Sequence, residues 1–148
     1  MTVKLANRMA QIRPSATIAV SQKTADLRAA GREIISLAVG EPDFDTPAHI
    51  RLAAKRAIDD GETRYPPIAG TPRLNQAIRN KLQRDNEVIY GSDQVVVTCG
   101  AKQALFNLLL ALLNEGDEVI IPAPYWVSYP DMVKLAGGEP MILNAGMD

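Results

Sequence analysis

The sequence predicts an α/β fold built around a parallel β-sheet, because two hydrophobic periods alternate along its second half. From residue 93 onward, short β-branched or apolar runs alternate with helical patterns. The predicted order is βαβαβ: strand 94–98, helix 101–113, strand 118–121, helix 127–136 and strand 141–143. Strands joined through helices run parallel and are covered on both faces, which agrees with the nearly all-apolar runs Val95-Val96-Val97 and Val119-Ile120-Ile121.

Residues 1–45 differ from this pattern and are predicted to form an N-terminal arm. Pro14 interrupts a helical start, and a helix pattern follows from Val20 to Ala30. Ile34 to Val39 has the composition of a short buried strand, and a turn-rich loop follows from Gly40 to Asp45. The second region, residues 46–148, carries the remaining elements.

Two helices in residues 46–90 are predicted from their start signals. Thr46 is expected to be the N-cap and Pro47 the first helical residue, and Thr71-Pro72 repeats the same signal after the rigid loop 65–70. Apolar residues then recur at helical spacing in both segments. In the second helix they predict a buried face, formed by Leu74, Ile78 and Leu82.

Composition excludes several classes of protein. The 148 residues carry 16 Lys+Arg and 17 Asp+Glu, so a net charge of -1 offers no basic field for nucleic acid. The longest apolar stretch, 104–113, is far shorter than the roughly 20 residues that cross a bilayer, so no membrane span is expected. No apolar signal region precedes Ile18, and the lone Cys99 fits a reducing compartment, so a cytoplasmic location is predicted, with an organelle transit peptide as the alternative.

The most informative local pattern is Thr98-Cys99-Gly100-Ala101-Lys102-Gln103, where a predicted strand ends and a helix begins. Gly100 permits a tight turn, and the amides of Gly100, Ala101 and Lys102 would face an anion, most naturally a phosphate. A plain strand-to-helix turn is the alternative. Neither the dinucleotide fingerprint nor the P-loop pattern is present, which disfavours nucleotides.

Three other residues have competing interpretations. Trp126 follows the next strand, where it could stack on a flat heteroaromatic ring or pack as a core tryptophan. His49 is expected at the surface near a helix N-terminus, and Cys99 is expected to be a small buried residue. No metal site is predicted.

Four motifs in order give the chain a family resemblance over nearly its whole length. They are Gly-Glu-Pro-Asp-Phe-Asp-Thr-Pro at 40–47, Tyr-Pro-Pro-Ile-Ala-Gly-Thr-Pro-Arg-Leu at 65–74, Thr-Cys-Gly-Ala-Lys-Gln-Ala at 98–104 and Pro-Ala-Pro-Tyr-Trp-Val-Ser-Tyr-Pro at 122–130. The sequence resembles the class I/II aminotransferases of pyridoxal 5'-phosphate (PLP) fold type I. It is most similar to the bacterial aspartate aminotransferase group, some of whose members also accept prephenate.

The resemblance implies a PLP site with named contributors. Gly100, Ala101 and Lys102 would hold the cofactor phosphate, Trp126 would stack on its ring, and Tyr65 would reach the phosphate of the partner subunit's cofactor in a homodimer. It also implies substrate-binding residues. The backbone of Gly40 would meet the α-carboxylate, Trp126 would also border the substrate, and Ser15, Thr17 and Lys102 would hold the distal carboxylate of a dicarboxylate.

The fold implied is the start of the large domain, with residues 1–45 as an arm and small-domain segment and 46–148 as an incomplete PLP-binding domain. The reaction implied is transamination between aspartate and a 2-oxo acid such as 2-oxoglutarate. Arg13 stands where prephenate-using members often have lysine, and the two cations are not interchangeable.

Several family residues have no counterpart here, above all the Schiff-base lysine. None of the six lysines lies in a Ser-x-x-Lys context, so the chain alone is expected to be inactive and to be part of a longer protein. Two alternatives stay open: a PLP lyase of the same fold, and a non-catalytic binding or interaction module that pairs with a longer homologue.

Overall fold

The computed structural model describes residues 3–12 and 14–146. Within these residues it contains five α-helices and two β-strands: α1 (Ala16–Ala29), α2 (Ala48–Asp59), α3 (Pro72–Asn86), α4 (Ala101–Leu112), β1 (Glu118–Ala123), α5 (Ser128–Leu135) and β2 (Glu139–Asn144). Two short 3₁₀ segments, Asn7–Gln11 and Ser92–Gln94, complete the regular structure. No helix in this described part is long and apolar enough to cross a membrane.

The chain divides into two compact units. The first contains the described residues of Met1–Glu41 and Leu105–Asp148, and the second contains Pro42–Ala104. Helix α4 therefore begins in the second unit and ends in the first.

The first unit is organised around β1, α5 and β2. The strands pair in parallel from Glu118 opposite Glu139 to Ala123 opposite Asn144, which confirms two of the three predicted strands and their connecting helix. Ile121, Met132 and Val133 are buried between the sheet and α5. The apolar period of the sequence thus produces a small βαβ core.

The same unit contains the N-terminal segments. Helix α1 begins earlier than the predicted residue 20, because the Ser15 hydroxyl caps it by accepting a hydrogen bond from the backbone N–H of Ile18 at 3.5 Å. The 3₁₀ segment Asn7–Gln11 packs against α5. Residues 34–39, predicted as a buried strand, are instead a loop in which Ile35 and Leu37 are almost fully exposed.

The predicted strand 94–98 is also wrong as a strand. Val95 has extended dihedral angles (φ -128°, ψ 124°), but residues 94–98 form no strand ladder with any described segment. β-Branched residues favour extended backbone, whereas a strand also needs a hydrogen-bonded neighbour.

The predicted coverage of both sheet faces is likewise absent from the described chain. Ile121 is 5% exposed, whereas its neighbour Ile120 is 71% exposed. Adjacent strand residues point to opposite faces, and α5 covers only the face to which Ile121 points.

The second unit carries α2 and α3, and its two helix starts differ. Thr71 caps α3 as predicted, accepting from the backbone N–H of Leu74 at 3.3 Å, with Pro72 at the first helical position. The predicted Thr46 cap is wrong: α2 starts one residue later, Pro47 occupies the N-cap, and no side chain caps it. The predicted buried face of α3 is also incomplete, since Leu74 is 44% exposed and Asn75 is the buried residue.

Candidate active site

The turn from Thr98 to Gly100 lies in the second unit and leads directly into α4, which begins at Ala101. Gly100 has a φ of +83°, a left-handed conformation that favours glycine. The turn is closed by two contacts between neighbours: the amide of Gly100 donates to the carbonyl of Thr98 at 2.8 Å, and the hydroxyl of Thr98 donates to the carbonyl of Gly100 at 2.9 Å. Glycine is therefore needed here for backbone conformation.

The space and the donors at this turn suit an anion. A Cβ placed on Gly100 would meet no atom within 4 Å, so the backbone is open to an approaching group. The amides of Ala101 and Gln103, in the first turn of α4, donate to no acceptor within the described residues. Helix α4 also directs the positive end of its dipole toward this point, and these features fit a phosphate.

One detail differs from the sequence expectation. The sequence predicts that the amide of Gly100 faces the anion, but this amide donates to the carbonyl of Thr98, which leaves the amides at the start of α4 as the available donors. The side chain of Gln103 adds a restraint that the sequence did not suggest, because its Oε1 accepts from the amide of Cys99 at 2.6 Å. Cys99 itself is exposed, so the expectation of a buried cysteine is wrong.

Trp126 lies in the first unit, between the end of β1 and the start of α5. Its ring meets Tyr129 edge-on, with centroids 5.4 Å apart and planes at 87°. The indole is 41% exposed, which excludes the alternative of a core tryptophan within the described chain. It borders a mainly apolar cavity of about 520 Å³ that Leu108, Ile121 and Met132 also line.

The remaining expected site residues lie on separate segments. Ser15, Thr17 and Gly40 belong to the first unit: Ser15 caps α1, Thr17 is half-buried in its first turn, and Gly40 lies in a loop where a Cβ would meet no atom within 4 Å. Tyr65 belongs to the second unit, as does the Gly100 turn, and is fully exposed. Chain continuity brings together Gly100, Ala101 and Lys102, and it likewise brings together Ser15 and Thr17 at the start of α1.

Two other observations concern binding groups. His49 is exposed in the first turn of α2, as expected. Across residues 3–12 and 14–146, no group of three or more His, Cys, Asp or Glu side chains could hold a metal ion.

Asn75 is a buried polar residue that the sequence pattern did not single out. It is 7% exposed, and its side-chain amide hydrogen-bonds the segment that precedes the Gly100 turn. A signal was present, because Asn75 lies three residues before Ile78 and so on the same helical stripe as the apolar side chains. A polar residue on such a stripe indicates a hydrogen-bonded partner.

The family model and the curated relatives that match this chain indicate the same family. The family model for aminotransferase class I and II matches residues 32–146. The aspartate/prephenate aminotransferase of Cereibacter sphaeroides is 57% identical over 144 residues, which cover 97% of this chain and 36% of that protein. The corresponding protein of Nitrosomonas europaea is 50% identical over 146 residues, covering 99% of this chain and 37% of the relative.

Solved structures that resemble this chain belong to aminotransferases as well. Aspartate aminotransferase from Thermus thermophilus with maleate matches with a TM-score of 0.92 and 46% identity over 98% of this chain and 38% of that one. The aspartate aminotransferase from Rhizobium meliloti matches with a TM-score of 0.93 and 44% identity over 98% and 36%. The α/β fold class is thus confirmed, and the chain spans just over a third of the length of these relatives. With the family model matching most of its length, the chain belongs to the aminotransferase class I and II family.

Proposed function

We propose that this chain supplies the phosphate end and the ring-stacking face of a PLP site in an aminotransferase acting on aspartate and a 2-oxo acid such as 2-oxoglutarate. The observation that carries the proposal is the open, positive-φ turn at Gly100 that leads into α4, in a chain of the aminotransferase family. The names of the Cereibacter and Nitrosomonas relatives, and the maleate in the Thermus structure, support a dicarboxylate substrate.

The cofactor end of the site would work through three groups of this chain. PLP, when bound, supplies an electron sink for negative charge at the substrate Cα. The turn of Gly100, Ala101 and Lys102 would hold the phosphate through the open amides at the start of α4, and the absence of a side chain at Gly100 would let it approach the backbone. The half-exposed indole of Trp126 would fix the plane of the ring and keep water from its face.

The substrate end would use the N-terminal segments. The open backbone at Gly40 would admit the α-carboxylate, a close approach that a side chain would obstruct. Lys102 would provide positive charge for the distal carboxylate, and the hydroxyls of Ser15 and Thr17 would donate to it. Ser15 would then serve both the α1 cap and the substrate.

The assembly would be a cytoplasmic homodimer in which the fully exposed Tyr65 donates to the partner's cofactor phosphate. Residues 1–45 would form the arm and small-domain segment, and 46–148 the start of the large domain. We also propose that the Schiff-base lysine lies in the part of the family fold that this sequence does not span, since none of its six lysines has a Ser-x-x-Lys context. The 148 residues alone would then be inactive.

A chimera tests the proposal directly. The matching 144 residues of the Cereibacter protein are replaced by those of this chain, and PLP binding is measured by its visible absorbance. The chimera is expected to bind PLP and to convert aspartate to its oxo acid with 2-oxoglutarate as acceptor; prephenate is assayed as a second acceptor. The isolated 148-residue chain is expected to show no transamination.

Matched glycine variants locate the phosphate end. Gly100→Ala is expected to weaken PLP binding about tenfold or more, because a Cβ fills the approach to the helical amides. Gly61→Ala carries a similar backbone strain, since Gly61 has a φ of +78° and open space around it, but PLP affinity should be unchanged.

Three outcomes would contradict the proposal. Equal losses of PLP affinity in Gly100→Ala and Gly61→Ala would show that backbone strain alone causes the effect. Elimination products in place of an oxo acid would indicate a lyase. A chimera that folds but binds no PLP would favour a non-catalytic module.

A further inference from the structure

We propose that Asn75 is a positioning residue for the cofactor phosphate, acting through the segment that leads into the Gly100 turn. This inference rests on the proposed function above. It concerns only residues of the second unit, Pro42–Ala104.

The geometry around Asn75 is specific. Its side chain is buried in α3, and its Nδ2 donates to the carbonyls of Ser92 and Val95, both at 3.1 Å. An amide nitrogen has two hydrogens, and both are used here. One side chain therefore satisfies two backbone carbonyls of a segment that has no strand neighbour within the described residues.

Further contacts hold the same segment at its two ends. At the start, the guanidinium Nε of Arg79 donates to the carbonyl of Tyr90 at 3.0 Å. At the end, the amide of Val97 donates to the carbonyl of Ala69 at 3.1 Å. Helix α3 and the loop before it thus hold residues 90–97 along their length, and Asn75 makes the two central contacts.

The consequence for the site follows from the short distance along the chain. Val95 is three residues before Thr98, whose carbonyl and hydroxyl close the Gly100 turn. If the part-buried carbonyls of Ser92 and Val95 lose their donor, they must turn toward water, because a carbonyl without a hydrogen-bond donor is unfavourable away from solvent. Residues 92–98 would then shift, and the amides at the start of α4 would no longer converge on one point.

This role gives a signature that a loss of fold stability does not. PLP carries the phosphate and pyridoxal lacks it, so misplaced phosphate donors weaken PLP binding and leave pyridoxal binding unchanged. The ratio of the two dissociation constants therefore reports the phosphate donors alone. A general loosening of the structure would weaken both ligands together.

The experiment uses the cofactor-free chimera defined above and titrates it with PLP and with pyridoxal. Asn75→Asp replaces the donor with an oxygen facing two carbonyls, and Asn75→Leu removes it. Each is expected to weaken PLP binding about tenfold while changing pyridoxal binding less than about twofold. Asn80→Asp is the matched control, because Asn80 lies on the same helix and its Oδ1, which the substitution keeps as an acceptor, accepts from Gln76 Nε2 at 2.7 Å.

The results separate the two proposals. An unsubstituted chimera that binds PLP no better than pyridoxal would refute the proposed phosphate site itself. A chimera with a clear preference for PLP that Asn75→Asp leaves intact would refute only the role of Asn75.

A milder variant covers the case in which both Asn75 variants fail to fold. Arg79→Met removes the more exposed contact to Tyr90 and is expected to lower the preference for PLP about twofold. An unchanged preference in Arg79→Met would then overturn the inference.

Discussion

Two apolar runs of nearly the same composition have different structures in this protein. Val119-Ile120-Ile121 lies in β1 and pairs with β2 through a parallel backbone ladder. Val95-Val96-Val97 follows the Ser92–Gln94 turn and is held by the side chain of Asn75 and one backbone hydrogen bond to Ala69. A β-branched run therefore specifies extended backbone, whereas its hydrogen-bonding partners are specified elsewhere in the chain.

The two regions also differ in how they are stabilised. The βαβ region buries apolar side chains, and the 90–97 segment relies on polar contacts and on a close approach to Gly70. The stability of the two regions should therefore be sensitive to different kinds of substitution.

The largest effect is expected in the βαβ core. Ile121→Ala removes buried apolar atoms and leaves a cavity, so the free energy of unfolding of the 148-residue chain should fall by roughly 2–4 kcal/mol. Ile120→Ala, its neighbour on the exposed face, should change it by less than about 0.5 kcal/mol. Urea titration measures both, and equal losses would show that Ile120 is covered as well.

The next effect tests how the 90–97 segment is held. Gly70 has a φ of +96°, and a Cβ there would lie 2.7 Å from Cγ2 of Val97. Gly70→Ala should therefore lower the free energy of unfolding by roughly 2 kcal/mol. Gly61→Ala should lower it by roughly 1 kcal/mol, because it has the backbone strain without the contact. Adding Val97→Ala to Gly70→Ala should recover part of the lost free energy of unfolding, because it removes the atoms that the new Cβ would meet. No recovery in the double variant would mean that the approach of the two segments does not matter.

A smaller effect compares the two helix starts. Thr71→Ala removes the cap of α3 and should cost about 1 kcal/mol in thermal unfolding. Thr46→Ala should cost close to nothing, because the structure places Pro47 at the N-cap of α2 with no side-chain bond. A loss of stability in Thr46→Ala as large as that in Thr71→Ala would show that Thr46 caps α2, as the sequence predicts.

The smallest effect is electrostatic. The hydrogen bond from Arg84 lowers the pKa of the Asp85 carboxyl, with smaller help from the charges of Arg84 and Lys81. A lowered pKa means that this pair stabilises the fold above the pKa of the unfolded chain and that the contribution is lost as pH falls through the folded value. Arg84→Gln should raise the pKa of Asp85, measured by carboxyl NMR titration, and Lys81→Gln should raise it less. An unchanged pKa in Arg84→Gln would show that the ion pair does not form in solution.

Much of the fold could be predicted from short stretches of sequence. The helices α3, α4 and α5 and the strands β1 and β2 all lie where periodicity and start signals indicated. The Gly100 turn was predicted from glycine at the end of an apolar run, and it has the positive φ that such a turn requires. These features depend on interactions within a few residues, so the local pattern is sufficient.

Most of the errors have a common cause, and the local misplacement of the Thr46 cap is the exception. The exposed Ile120, the exposed Cys99 and the unpaired residues 94–98 all concern burial or pairing, which depend on segments far apart in the sequence. Asn75 shows the same dependence, because its two acceptors lie 17 and 20 residues away. Apolar spacing identified the stripe of α3 on which Asn75 lies but not the carbonyls that it meets.

Local backbone preferences and residue identity were enough to predict the family motifs, the positions of most helices and strands, and the glycine turn before α4. Only the tertiary structure shows which face of β1 is buried and which polar side chain holds the segment before the turn. Hydrogen bonds and burial join residues that are distant along the chain, and they form only when the folded backbone brings those residues together.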